Sequence, residues 1–258
     1  MAAELLVTVA GPALVLTLSN PGLRNALSPE MYAAFLPALE RAAAEPSIRA
    51  VILTGADGFF CAGGNLNRLQ GNRAQPPEVQ KASIEQLHAL CRALAAHPKP
   101  LIAAVEGAAA GAGMSLALGC DLIAAGRSSK FVMSYVKVGL SPDGGGSWFV
   151  TRALPRQSAA QMLLTGEPFD APKLERLGLV NALVDDGKAL DAALAIAERI
   201  AELSPHAVTR IKRLIAGAAT AGLDEHFDTE RDAFVACLHH PDAGEAIDAF
   251  LTKRAARF

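Results

Sequence analysis

The chain has 258 residues, of which 51% are hydrophobic and 19% are charged. This composition is typical of a folded globular protein and excludes a disordered one. The formal net charge of -2 gives no general reason to bind nucleic acid or an anionic membrane, so we expect neither partner. Residues 101–118 are the longest apolar stretch, but Glu106 and several glycines interrupt it, which argues against a membrane span.

The N-terminus and the cysteines indicate the compartment. The first residues lack the basic and apolar regions of a signal peptide. The cysteines form no C-x-x-C pair and have no metal-ligand spacing with histidine. We therefore expect a cytoplasmic protein with reduced, mostly buried thiols, no metal site and no flavin or nicotinamide cofactor. The cysteines are Cys61, Cys91, Cys120 and Cys237.

Short β-type runs and helices alternate in the first part of the chain. Residues 5–9 and 13–18 predict a hairpin around Gly11-Pro12. Ser28 and Pro29 predict the N-cap and the first residue of a helix that ends at Ala44. Continuous apolar runs at 50–54, 101–105 and 121–125 predict strands buried on both faces, with helices over 77–96 and 111–118. This alternation indicates an α/β domain.

The strand signals stop after residue 189. Helical periodicity continues over residues 190–203, 205–218, 223–238 and 244–257. We therefore divide the chain into an α/β core over 1–189 and a C-terminal helical region over 190–258.

Two glycine-rich segments each follow a predicted buried strand. They are FFCAGGNL at residues 59–66 and EGAAAGAGM at residues 106–114. Glycine permits positive φ and close approach of the backbone, so such turns can aim amide N–H groups at a ligand. Two converging turns, one at a helix N-terminus, would form an oxyanion hole from backbone alone. The spacing is also compatible with glycines that only allow tight strand–helix packing.

Several segments resemble a known family in the expected order. They are residues 60–66, 99–107, 111–121, 138–142, 164–166 and 178–180. Together they resemble the crotonase, or enoyl-CoA hydratase/isomerase, family from about residue 14 to Lys253-Arg254. The resemblance implies a crotonase-like spiral of ββα units with a C-terminal helical trimerisation region, in a homotrimer or hexamer. It also implies acyl-CoA thioester substrates, with coenzyme A as part of the substrate.

The resemblance also suggests which residues bind the substrate. It places the oxyanion-hole N–H groups on Gly64 and Ala112. The family usually has glycine at the second position, but alanine keeps the N–H group.

A second set of residues would contact the rest of the acyl-CoA. Residues 24–27 resemble the CoA-binding stretch of the family. Arg24 would meet a CoA phosphate, and Lys253 in the terminal helix would do so from its own or a neighbouring subunit. Ala26 and Ala62 complete the predicted substrate-binding residues. The alternative is that Arg24 and Lys253 are solvated surface charges.

Two family carboxylates are missing. Hydratases of this family hold a water between two glutamates, and by alignment Ser115 and Tyr135 stand at those two positions. Neither side chain is a useful base near neutral pH, so hydration by the two-glutamate mechanism is not expected. Tyr135 is predicted to line the acyl pocket or to hydrogen-bond the substrate, with core packing as the alternative.

Asp143 is the acid that remains near these positions in the sequence. At this place the chain resembles isomerases that move an enoyl double bond, and also the epoxyphenylacetyl-CoA isomerase type. One carboxylate suffices for a 1,3-proton shift, because it can remove a proton and redeliver it after the enolate forms. The alternative is that Asp143 only caps or turns the chain before a helix through residues 147–148.

Three functions remain open from the sequence, of which an enoyl-CoA isomerase with Asp143 as proton shuttle is favoured. The others are a hydratase with atypical acid/base residues and a non-catalytic acyl-CoA-binding subunit.

His88 falls near the histidine base of 4-chlorobenzoyl-CoA dehalogenase relatives, but we interpret it as a partly exposed surface residue. Glu106 and Asp121 are interpreted as hydrogen-bonding residues of the fold.

Overall fold

The structure is a computed structural model that describes residues 3–258. Its strands are short and numerous. Met1 and Ala2, which the predicted core includes, lie outside the described residues. The strands are β1 Glu4–Ala10, β2 Ala13–Ser19, β3 Ala50–Gly55, β4 Leu101–Val105, β5 Ala108–Ala110, β6 Leu122–Gly126, β7 Lys130–Val132, β8 Phe169–Asp170 and β9 Ala182–Val184.

These strands form two sheets. The larger has the order β1-β2-β3-β4-β6-β9, and the smaller has the order β5-β7-β8. The predicted hairpin is confirmed, because β1 pairs antiparallel with β2, and the remaining pairs of the larger sheet are parallel. The isolated bridges Leu27–Gly64 and Cys61–Ala109 run along the smaller sheet. The chain thus alternates between two layers, as the predicted spiral of ββα units requires.

The inner strands β2, β3, β4 and β6 of the larger sheet are buried on both faces, which explains the unbroken apolar runs. Leu14, Leu16 and Leu18 of β2 face the main core, whereas Ala13 and Val15 face the opposite side. On that side α8 (Ala189–Ala201) covers the sheet with its small residues and one isoleucine: Ala189, Ala193, Ile196 and Ala197. Nearly all of α8 lies in the predicted C-terminal helical region over 190–258, but the helix packs with the sheet.

The helices begin where capping residues occur. Ser28 caps α1 by accepting a hydrogen bond from the Met31 N–H at 3.3 Å, as predicted. The helices before α8 are α1 Pro29–Ala44, α2 Leu66–Asn72, α3 Pro77–Ala96, α4 Ala112–Leu118, α5 Gly146–Ala153, α6 Arg156–Thr165 and α7 Ala171–Arg176. A 3₁₀ helix spans Ser134–Val138. The remaining helices are α9 Pro205–Ala218, α10 Leu223–Leu238 and α11 Pro241–Leu251.

The last helix differs from its prediction over 244–257. It begins at Pro241, which has the preset φ of a first helical residue, after His240 as the N-cap. It ends at Leu251, and Lys253 has a positive φ of 57° that no α-helix accommodates. Lys253 therefore lies beyond the terminal helix, and its predicted position inside that helix is wrong.

The last three helices are much more exposed than the rest. No residue of α9 or α10 is fully buried, and only Ala249 is buried in α11. A salt bridge of 2.6 Å from Lys212 to Asp121 ties α9 to the sheet, and the same Asp121 oxygen accepts the Leu101 N–H at 2.7 Å. Asp121 is thus a residue of the fold, as interpreted. Within residues 3–258, every helix is too short or too polar to cross a membrane.

Candidate active site

The two glycine-rich segments meet side by side. The Phe60 N–H donates to the Glu106 carbonyl at 2.8 Å, and the Cys61 N–H donates to the Ala108 carbonyl at 3.0 Å. The Ala110 N–H returns a bond of 2.9 Å to the Cys61 carbonyl. The two segments, which are far apart in the sequence, therefore converge as the oxyanion-hole hypothesis requires.

Glycine is required where the two segments touch. Gly63 has φ of 87°, and a Cβ there would lie 2.5 Å from the Ala110 carbonyl oxygen and 3.2 Å from the Ala112 nitrogen. A Cβ on Gly113 would lie 2.6 Å from the Cys61 carbonyl oxygen. Any side chain at either position would push the turns apart. The two interpretations of these glycines are therefore compatible, because the tight packing of the turns is what places the N–H groups.

The Gly64 and Ala112 N–H groups are both free of protein acceptors. In the parallel bridge between Leu27 and Gly64, the Leu27 N–H donates to the Gly63 carbonyl at 2.8 Å, so the Gly64 N–H points away from Leu27. Ala112 is the first residue of α4, where N–H groups have no intrahelical acceptor. Neither group donates a hydrogen bond to the protein within the described residues. Both can therefore donate to a ligand oxygen.

A buried asparagine holds residues 24–27 against the first glycine turn. The Asn25 Nδ2 donates to the Ala56 carbonyl at 2.9 Å and to the Phe59 carbonyl at 2.6 Å. The Arg24 carbonyl in turn accepts the Ala62 N–H at 2.9 Å. Sequence reasoning missed Asn25. The available signal was an asparagine three residues after Gly22, since asparagine tolerates the positive φ of 56° found here.

The predicted CoA-binding residues lie in different places. Arg24 is exposed, with its Cζ 5.6 Å from the centre of the Phe59 ring. Ala26 is buried beneath it, and its carbonyl accepts a bond of 2.7 Å from Asn20. Lys253 is exposed beyond α11. The hydrogen bond from the Ala62 N–H to the Arg24 carbonyl brings Ala62 to the segment that contains Arg24 and Ala26, whereas the role of Lys253 stays a prediction.

Asp143 is held by Tyr135 and Ser115, the two residues that the family resemblance places at the glutamate positions of hydratases. The Tyr135 hydroxyl donates to Asp143 Oδ1 at 2.6 Å, and the Ser115 Oγ donates to the Asp143 carbonyl at 3.1 Å. The Gly146 N–H donates to the same carbonyl at 2.9 Å. The carboxylate does not cap α5, whose N-cap is Gly145 without a side-chain bond. The alternative of an N-cap role is therefore wrong, although Asp143 does lie in a turn.

Tyr135 also touches the second glycine turn. A Cβ on Gly111 would lie 3.5 Å from the Tyr135 Cζ and 3.6 Å from its hydroxyl oxygen, an ordinary contact distance. Burial first, and then the negative charge of Asp143, raise the pKa of Tyr135 well above its usual value. The phenol therefore remains protonated and donates a hydrogen bond to Asp143. Sequence reasoning identified Tyr135 as a site residue but did not find this contact, because it depends on the 3₁₀ helix.

His88 and Glu106 lie outside this arrangement. The His88 side chain is 38% exposed on α3, with Nδ1 3.8 Å from the Glu85 carboxylate, in line with the interpretation as a surface residue. Glu106 Oε1 accepts the Ala189 N–H at 2.9 Å, at the start of α8. Glu106 therefore joins α8 to the sheet, as a residue of the fold.

Cys61 lies beneath the two turns and is chemically quiet. Its Sγ is 3.1 Å from the Asn25 carbonyl, and burial raises the pKa of its thiol to about 12. Cys61 and Cys91 are buried, Cys120 and Cys237 are half-buried, and all four are free thiols.

Comparison with known proteins agrees with this geometry. The family described as enoyl-CoA hydratase/isomerase matches residues 10–258. The chain is 38% identical over 246 residues to the 1,2-epoxyphenylacetyl-CoA isomerase of Escherichia coli K12, covering 95% of this chain and 94% of the relative. It is 33% identical to the 2,3-dehydroadipyl-CoA hydratase of the same organism, covering 99% and 98%.

A solved structure extends the likeness to the fold. The crystal structure of an enoyl-CoA hydratase from Polaromonas sp. JS666 superposes with a TM-score of 0.97 at 52% sequence identity, covering 98% of this chain and 99% of that one. The likeness therefore spans the glycine turns, the Asp143 loop and the C-terminal helices together. The chain belongs to the enoyl-CoA hydratase/isomerase family, as its resemblance to crotonases predicts.

Proposed function

We propose that the chain binds an acyl-CoA thioester and moves the double bond of an enoyl-CoA, with Asp143 as the proton shuttle. The thioester carbonyl oxygen would accept hydrogen bonds from the Gly64 and Ala112 N–H groups. These donors are fixed by the packing of the two turns, so they need no rearrangement when negative charge develops on the oxygen. Arg24, Ala26 and Ala62 would contact the coenzyme A part of the substrate.

The proposed reaction is a balanced 1,3-proton shift. The Asp143 carboxylate removes a proton from C2 of a 3-enoyl-CoA, and the electrons of that C–H bond pass into the thioester to form a dienolate. The oxyanion hole stabilises the negative oxygen. The Asp143 carboxylic acid then returns the proton to C4, which leaves the double bond between C2 and C3 and regenerates the carboxylate.

The observation that carries this proposal is the pair of hydrogen bonds on Asp143. Ser115 and Tyr135 occupy the positions at which a hydratase keeps two glutamates, and both hold Asp143 instead. The site therefore supports one carboxylate that both removes and returns a proton. A non-catalytic acyl-CoA-binding subunit would have no need to hold a carboxylate in this way.

Hydration is the second candidate function. It is favoured by the Polaromonas structure, which is 52% identical and described as an enoyl-CoA hydratase. In that reaction Asp143 would orient and deprotonate a water that adds to C3 of a 2-enoyl-CoA, and would then deliver the proton to C2 of the resulting enolate.

Separate incubation with two substrates distinguishes these functions. An isomerase given 3-enoyl-CoA produces the absorbance of a conjugated thioester and leaves 2-enoyl-CoA without water added. A hydratase removes the absorbance of 2-enoyl-CoA. A protein that binds both thioesters in calorimetry and changes neither would be a binding subunit, and isomerase activity would be excluded.

We also propose that the chain assembles as a homotrimer or a hexamer through its C-terminal helices. Large apolar side chains are exposed there on a single chain, which favours burial between copies. They include Phe227, Phe234, Val235, Leu238, Phe250 and Leu251. Light scattering at micromolar concentration should give three or six times the 26.8 kDa of the chain. A monomeric mass would contradict the proposal, and would also remove the neighbouring subunit as a source of Lys253.

A further inference from the structure

We infer that Tyr135 is a positioning residue that holds one oxygen of Asp143, so that the other oxygen alone takes and returns the proton. The inference rests on the proposed function, because it assumes that Asp143 shuttles a proton. It goes beyond that function by giving a role to the residue at the second missing glutamate position.

The geometry restrains Asp143 at both ends. The Tyr135 hydroxyl binds Oδ1 at 2.6 Å, a short distance that is typical of a hydrogen bond to a charged acceptor. The Ser115 Oγ and the Gly146 N–H both hold the backbone carbonyl, at 3.1 and 2.9 Å. With the backbone and Oδ1 fixed, rotation of the carboxylate would break a charge-assisted hydrogen bond. Oδ2 is therefore the oxygen that remains for the substrate.

Tyr135 can keep this bond throughout the reaction. Because its phenol stays protonated, it donates to Oδ1 when Asp143 is a carboxylate. When Asp143 carries the substrate proton on Oδ2, Oδ1 is a carbonyl oxygen and still accepts. The proton removed from C2 and the proton returned to C4 thus pass through one fixed oxygen, on one face of the dienolate.

The ring of Tyr135 links the base to the oxyanion hole. The ring lies 3.5 Å from the place that a Cβ on Gly111 would occupy, next to the Ala112 donor in sequence, while its hydroxyl binds Asp143. We therefore expect Tyr135 to help set the distance between the oxygen that moves the proton and the N–H that binds the enolate. Small displacements of a reacting group from this arrangement are expected to lower kcat more than they raise KM.

The test is Tyr135→Phe, with Tyr32→Phe as the matched control. Tyr32 is the other of the two tyrosines in the chain and is also buried. Its hydroxyl feels the charge of Asp143, but it makes no hydrogen bond to Asp143 among the described residues. For Tyr135→Phe we expect kcat for 3-enoyl-CoA isomerisation to fall about 10- to 100-fold with KM within about twofold. For Tyr32→Phe we expect both constants within about twofold of the wild type.

A labelled substrate reports on the positioning itself. With deuterium at C2 of the 3-enoyl-CoA, the fraction of label delivered to C4 should fall in Tyr135→Phe, because the freed carboxyl exchanges its proton with water from either oxygen. Tyr32→Phe should retain the wild-type fraction. Equal label transfer in the wild type and Tyr135→Phe, or an unchanged kcat, overturns the inference.

Asp143→Asn separates failure of the inference from failure of the proposed function. If Asp143→Asn keeps full turnover, the proposed function fails. If Asp143→Asn loses turnover while Tyr135→Phe keeps it, only the role of Tyr135 fails.

A second measurement applies if Tyr135→Phe does not fold. In Tyr32→Phe, Tyr135 is the remaining tyrosine, so a change in tyrosine absorbance reports on its hydroxyl. Adding Asp143→Asn should shift this absorbance to shorter wavelength, because the hydroxyl then donates to a neutral amide oxygen instead of a carboxylate. An unchanged spectrum would show that the two side chains do not interact, and would overturn the inference.

Discussion

The candidate site has two halves that are built differently. The oxyanion half, around Gly64 and Ala112, consists of backbone N–H groups placed by the contact between two glycine turns. The proton-transfer half consists of side chains, in which Tyr135 and Ser115 hold Asp143. The first half depends on the absence of a Cβ at two positions. The second half depends on the polar side chains at positions 115, 135 and 143.

In the proposed function, this difference separates the groups that bind the thioester from the groups that move the proton. The backbone half can stabilise an enolate whichever proton transfer forms it, because it binds only the thioester oxygen. The side-chain half determines where protons go. A relative with glutamates at the positions of Ser115 and Tyr135 could therefore share the first half and catalyse a different reaction.

The largest effect expected from changing the backbone half comes from Gly63→Ala. The new Cβ would lie 2.5 Å from the Ala110 carbonyl oxygen, on a residue with φ of 87°, so the turns must separate. Displacement of an oxyanion-hole donor typically lowers kcat by about 10²–10³-fold, and we expect a loss of this size in the isomerase assay.

The matched control for this variant is Gly71→Ala. It adds the same methyl group in α2, where nothing lies within 4 Å of the new Cβ and φ is not positive. We expect Gly71→Ala to keep the wild-type rate. If Gly63→Ala were as active as Gly71→Ala, the close contact of the two turns would not be what forms the hole.

A smaller effect is expected from placing a hydratase carboxylate in the side-chain half with Ser115→Glu. Ser115 is fully buried, and its Cβ and Oγ lie close to Gly144 and Gly146. Overpacking such a site typically costs about 1–3 kcal/mol of the free energy of unfolding. We expect a lower Tm and no gain in hydration of 2-enoyl-CoA.

The control for overpacking is Ser115→Ala, which removes the bond to the Asp143 carbonyl without adding volume. The loss of one hydrogen bond is expected to cost about 1 kcal/mol of the free energy of unfolding. A Ser115→Glu variant that melts like the wild type and hydrates 2-enoyl-CoA would show that the missing glutamate alone separates the two reactions.

Ligand binding to the backbone half is expected to stabilise the protein by an amount comparable to one hydrogen bond. A ligand that binds only the native state at ten times its Kd raises the free energy of unfolding by about 1.4 kcal/mol. An acyl-CoA should therefore raise the Tm of both the wild type and Asp143→Asn, since the oxyanion donors remain in place. A Tm that does not move in either protein, with no heat of binding in calorimetry, would contradict acyl-CoA binding.

The sequence predicts the backbone half better than the side-chain half, for a physical reason. Close approach of two turns leaves a local trace, since only glycine fits at Gly63 and Gly113. The bounds of α1, α3, α9 and α10 were also predicted correctly, because local capping and periodicity determine them. The short strands β5, β7, β8 and β9 were missed, since two or three residues carry no periodic pattern.

The contacts around Asp143 leave no such trace. The Tyr135 hydroxyl reaches Asp143 only because a 3₁₀ helix and a turn bring together two residues eight positions apart. Asn25 likewise binds carbonyls more than 30 residues away. Such bonds depend on the tertiary fold, so alignment identified the residues at the site but not the bonds between them.

The most direct test of the central claim is to measure the turnover of Asp143→Asn with 3-enoyl-CoA together with its affinity for acyl-CoA. Asparagine is nearly the same size as aspartate and still accepts the Tyr135 hydrogen bond, but it cannot take a proton from C2. We predict that acyl-CoA affinity measured by calorimetry is retained and that isomerisation falls about 10²–10⁴-fold. A correctly folded Asp143→Asn protein with undiminished isomerisation would contradict the assignment of Asp143 as the proton shuttle.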